Sequence, residues 1–71
     1  DSEELLKNYS RVTIIGAEDI WIENYKAILE YSEEMIRLSN DICIYGQNLS
    51  VEEITSDDIL IIGKIKNIEF E

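Results

Sequence analysis

Few side chains in this sequence could do chemistry, and their spacing decides which kind. The single cysteine, Cys43, sits in the apolar run ICIYG between Ile42 and Ile44. A thiol becomes a nucleophile in an electropositive, partly exposed setting, and an apolar strand is the reverse, so Cys43 is expected to be inert core filling. Histidine is absent, which removes the commonest general base, and nothing in the spacing of Lys or Glu singles out another. No catalytic residue and no cofactor are expected. The acidic doublets Glu3-Glu4, Glu33-Glu34, Glu52-Glu53 and Asp57-Asp58 offer hard oxygen ligands. However, no D-x-D-x-D-G loop is present, and adjacent residues of a strand point to opposite faces. They read as solvated turn and edge charges, with a small acidic ligand- or calcium-binding β domain as the alternative. Binding is the better prospect. Trp21 shares a strand face with Asp19 and Glu23, so it is either an aromatic anchor rimmed by carboxylates or a lid over the domain's own edge. Trp21, Glu23, Tyr25 and Lys26 form the candidate interaction surface. Lys26, Lys64 and Lys66 are isolated positives that could equally protect strand edges from pairing.

The elements that must position these residues are mostly of period two. In RVTIIG, Val12 and Ile14 oppose Thr13 and Ile15; in DIWIEN, Ile20 and Ile22 oppose Asp19, Trp21 and Glu23. Both read as strands, separated by a turn at Gly16 to Glu18. Asn40-Asp41 is a turn dipeptide, ICIYG and ILIIG are apolar on both faces, and LSVEEI alternates. In KIKNIEFE, Ile65 keeps the phase of Ile59 and Ile61 while Ile68 and Phe70 fall on the other parity, which predicts a β-bulge near Lys66 or Asn67. Gly16, Gly46 and Gly63 each follow an apolar strand and read as structural turn or bulge residues at strand ends, not as a phosphate loop. The opening DSEELLKNYS is a polar arm over residues 1–10, with Asp1 and Glu4 spaced as a capping box for a short helical turn.

One segment is ambiguous. In YKAILEYSEEMIRL, Ile28, Tyr31, Met35 and Leu38 make an amphipathic helical stripe, yet a cut at Ser32 to Glu34 gives two short strands. In the second case Ala27, Leu29 and Tyr31 oppose Ile28 and Glu30, and Ile36 and Leu38 oppose Met35 and Arg37. Periodicity alone leaves both open.

The chain is short, 71 residues with 45% hydrophobic content and a net charge of −10. That length makes one domain, residues 11–71, with a thin stability margin and no disulfide framework or zinc site to widen it. The acidity repels phosphate backbones and anionic lipid, so neither nucleic acid nor direct membrane insertion is expected. No apolar run approaches a membrane span, and the start lacks a signal region, so the chain as given reads as cytoplasmic. The strands that are apolar on both faces carry more hydrophobic residues than one two-layer core needs, which points to a homo-oligomer.

Taken in order, RVTIIG, WIENYKAILEYSEEMIRL, ICIYGQNLSVEEIT and DDILIIGKIKNIEFE resemble the body of the YabP/YqfC family of sporulation proteins from endospore-forming Firmicutes, the YqfC-like branch in particular. The resemblance runs from about Arg11 to the end. It departs from the family pattern at Tyr25, where histidine is common, at Ala27, where glycine is common, and in lacking a proline before the first strand. The resemblance implies an all-β fold, a small immunoglobulin-like β-sandwich of about seven to eight short strands, and so favours the hairpin over the helix. It implies a non-enzymatic protein-interaction or assembly module of the mother cell, recruited to the forespore surface. Its expected partner is a protein, such as a co-encoded sporulation membrane protein.

Overall fold

The computed structural model describes residues 9–71; the helical turn expected from Asp1 and Glu4 lies outside them. The described residues are all strand and turn. β1 spans Arg11–Ile15, β2 Asp19–Glu23, β3 Ile28–Tyr31, β4 Met35–Leu38, β5 Ile42–Ile54 and β6 Asp58–Phe70. They form a single antiparallel sheet in the order β1-β2-β6-β5-β4-β3. The segment with two possible structures is the β3–β4 hairpin. Its turn at Ser32 to Glu34 is closed by Ser32 N donating to Met35 O at 2.8 Å, while Ser32 Oγ accepts from Glu34 N and Met35 N.

One sheet with no helix against it can bury side chains only by folding over its own inner face. Ile20, Ile22, Ile36, Ile44, Ile59 and Ile61 are fully buried in one cluster with Leu38, Ile42 and Leu49, although β2 and β4 lie on opposite sides of the β6–β5 pair. The two 13-residue strands make the fold possible. The start of β6 pairs with β2 and with the end of β5, whereas the start of β5 pairs with β4 and with the end of β6. Each long strand therefore passes from one layer into the other.

The strand count is thus six in one continuous sheet, in place of seven or eight in an immunoglobulin-like pair of sheets. ICIYG and LSVEEI join into β5, and ILIIG and KIKNIEF join into β6, because Gly46 and Gly63 lie within strands and not at their ends. The bends come from bulges. The register shifts between Tyr45 and Gly46, leaving Lys66 as the extra residue where the change of phase predicts one. It shifts again between Gln47 and Ser50, opposite Gly63, and between Val51 and Glu53. An extra residue on one strand bends it and increases local twist, and three in one hairpin turn a flat ribbon into a folded one.

Polar contacts close the ends. Asn40 Nδ2, in the β4–β5 turn, donates to Ser10 Oγ, which donates to Asn24 O at 2.7 Å; Asn24 Nδ2 donates to Tyr9 O at 3.2 Å. These bonds tie the start of β1 to the far layer. Along one seam between the layers, Tyr31 Oη accepts from Val51 N at 3.0 Å, and Glu33 O and Glu34 O accept from Leu49 N and Gly46 N. Tyr31→Phe removes the first of these bonds and is expected to cost about 0.5–1.5 kcal/mol in urea unfolding.

Candidate interaction face

Alternation along β1, β2 and β6 decides which side chains stand outside. Ile20, Ile22, Ile59 and Ile61 point inward, so Trp21, Leu60 and Ile62 point outward, together with Thr13 and Ile15 of β1. The register sets Thr13, Trp21 and Leu60 side by side, and Ile15, Asp19 and Ile62 side by side. Directly opposed residues have Cβ atoms about 4.5–5.5 Å apart and diagonal ones about 7–8 Å, so Ile15, Trp21, Leu60 and Ile62 make one apolar patch. Ile15 is 51% exposed and the other three are half-buried. No described element covers this face.

Its rim is acidic. Asp19 stands between Ile15 and Ile62, and Glu23 lies between Arg11 and Asp58 in the register. Arg11 Nε is 3.7 Å from Glu23 Oε2. Beside this end runs a groove of about 690 Å³ lined by Tyr9, Ser10, Arg11, Val12, Glu23, Asn24, Asp57 and Asp58. Asp58 Oδ1 accepts there from Asn24 N at 3.3 Å. Among the described residues no three acidic or other metal-ligating groups converge on one point.

The four residues singled out from the sequence do not form one surface. Trp21 and Glu23 share the outer face of β2, but Tyr25 packs against the core and Lys26 is exposed in the β2–β3 connection at φ +72°. Ile15, Leu60 and Ile62 complete the patch. Their signal was in the sequence: VTIIG and ILIIG are apolar on both faces, and only one face of each strand can enter the core.

The outer face of the other layer is polar. Arg37 Nε is 3.1 Å from Glu30 Oε1 and its Nη1 is 3.4 Å from Glu71 Oε1. Cys43 lies between Arg37 and Glu69 in the register and is fully buried. Next along β5, the Tyr45 phenol is pushed up from 10.0 to about 12, first by its hydrogen bond with the Cys43 side chain, then by charge on Cys43 and by desolvation, with Glu69 adding to the effect. Because the folded pKa exceeds the unfolded one, this contribution to stability is complete below about pH 10 and is lost as pH rises through about 12. Tyr45→Phe is expected to remove that part of the alkaline loss, seen as a flatter stability profile across the window in urea titrations.

Comparison with known proteins gives the chain its family. The model of the YabP family matches residues 7–71. The chain is also similar to a protein of Bacillus subtilis strain 168 named "Uncharacterized protein YqfC", 29% identical over 70 residues that cover 94% of this chain and 75% of that one. No solved structure matches significantly. A match over residues 7–71, which span all six strands, shows that the chain belongs to the YabP family.

Proposed function

We propose that this chain is a non-enzymatic protein-docking domain acting in the mother cell during spore formation, and that the outer face of β1, β2 and β6 receives its partner. The observation that carries the docking is the uncovered apolar patch of Ile15, Trp21, Leu60 and Ile62 with carboxylates at its rim. A large aromatic set among aliphatic neighbours, with charge around them, is the make-up of an interface centre. The link to sporulation rests on the resemblance of the chain to its family. In this reading the domain stays in the cytoplasm and reaches the forespore surface through a membrane-protein partner. No helix among the described residues is long and apolar enough to cross a membrane.

The test is complementation in a spore-forming host that lacks the gene. Trp21→Ala paired with Ile62→Glu is expected to keep the β-rich circular dichroism spectrum and to lower spore yield about tenfold or more, the loss that follows when an interface anchor is removed. Full spore yield from that variant would refute the docking face, and unchanged spore yield on deletion of the gene would refute the role in sporulation.

A further inference from the structure

We infer that the partner binds by adding a strand to the free edge of β1, and that this strand alternates apolar and basic side chains. The inference rests on the docking reading above and specifies how the partner meets the face.

Among the described residues β1 is paired on one side only, with β2, which leaves its other row of backbone N–H and C=O groups without a strand partner. Edges of this kind are normally blunted. The opposite edge, β3, is: the register shift between Ile28 and Glu30 leaves Leu29 as a bulge, Glu30 is held by Arg37, and Tyr31 reaches across to Val51. β1 has no bulge and no proline, and its one charge, Arg11 at its first position, is paired with Glu23.

The edge also faces an opening in the core. Ile14 points inward beside Ile20, yet it is 59% exposed. Between it and the last part of β6, which is itself paired only with β5, lies a groove of about 380 Å³ lined by Ile14, Ala17, Ile65, Lys66, Asn67 and Ile68. The equivalent seam on the other side is closed by Tyr31. A strand laid along β1 places alternate side chains in this groove, over Ile14, Ile65 and Ile68. The others stand outward beside Thr13 and Ile15, extending the patch that holds Trp21.

Charge selects the occupant. Carboxylates outnumber cations at both ends of β1, with Glu18 and Asp19 near Lys64 at one and Glu23, Asp57 and Asp58 near Arg11 at the other; the one cation in the groove, Lys66, lies on its β6 side. A second copy, which the sequence pattern would suggest, brings another chain of net charge −10 to the same edge and offers only Arg11 from its own β1. A strand with Lys or Arg at its outward positions meets opposite charge instead.

The experiment titrates the isotope-labelled chain at low salt with a synthetic alternating Val-Lys peptide and follows amide exchange strand by strand. Slowed exchange at β1 and not at β3 is expected, with affinity falling as salt is added. Ile14→Lys is expected to weaken binding by about tenfold with unchanged melting, since the residue is exposed in the free chain. Ile68→Ala, on the opposite wall, should weaken it by a smaller factor. Equal binding of a Val-Glu peptide, or absence of β1 protection at saturating Val-Lys, overturns the proposal. So does β1 protection that grows with the chain's own concentration while sedimentation shows a doubled mass. If the Trp21 and Ile62 variant fails in complementation while β1 stays unprotected, the docking face stands and strand addition alone falls.

Discussion

Gly46→Ala is expected to leave much of the chain unfolded at room temperature. A Cβ at that position would stand 2.1 Å from Lys64 O, 3.1 Å from Lys64 C and 2.9 Å from Leu49 Cδ2. The first two are backbone atoms of the partner strand at the bend, and the third belongs to a side chain that is 2% exposed. Neither neighbour can yield without parting β5 from β6 or shifting the core. Overpacking costs about 1–3 kcal/mol where side chains can adjust and more where backbone must move, so a loss of about 3–5 kcal/mol is expected. A domain of this size has a total stability of that order. Urea unfolding followed by tryptophan fluorescence measures it; a midpoint within a few tenths of molar of the parent would show that the strands do not touch as described. Gly16→Ala is the contrast. No atom lies within 4 Å of its would-be Cβ, and only the left-handed φ of +66° opposes the change, which predicts a loss of about 1–2 kcal/mol.

The second large effect is Ile61→Ala. Ile61 is fully buried on the middle of the sheet, with Ile20 beside it on β2 and Val51 on β5. Truncation removes its transfer free energy and leaves a void walled by β-branched neighbours whose rotamers are restricted, so collapse around it is limited. About 2–5 kcal/mol is expected. The same change at Ile15, outside the core and 51% exposed, should alter the midpoint little. Similar losses at Ile61 and Ile15 would mean that inner and outer faces have been exchanged.

The strands, the turns at Gly16 to Glu18 and Asn40-Asp41, and the bulge at Lys66 were legible because each leaves a mark in the sequence pattern, whereas the turn at Ser32 to Glu34 was favoured only through the family resemblance. Where one strand ends and the next begins was not. Gly46 interrupts apolar alternation just as a turn would, but here it allows Lys64 O to approach within a bend of one strand. Nothing local distinguishes a chain that reverses from one that passes into the next layer. The helical stripe in the β3–β4 segment has a local cause. Leu29 is the extra residue of a bulge, so Ile28 and Tyr31, three apart, both face inward, as a helix would also place them. Met35 breaks that stripe by facing out beside Tyr45. For the site, the sequence pointed to Trp21 and to surplus apolar residues, but assigned Tyr25 to the surface. Its ring turns to the core because the chain crosses between layers there, with Tyr25 N bonded to Asp57 O at 3.1 Å.

The passage of β5 and β6 through both layers also governs how the molecule comes apart. In a sandwich of two separate sheets, one sheet can in principle loosen while the other holds. Here each layer takes half its strands from the same hairpin, so a break at either bend removes the inner wall of both. Opening should therefore be all-or-none, with no half-folded species to expose the isoleucine cluster. Assembly has the matching constraint. The β5–β6 hairpin is the local pairing on which β2 and β4 dock from opposite sides, and the slow event is expected to be β2 reaching β6, where Asp19 pairs with Ile62 across most of the chain.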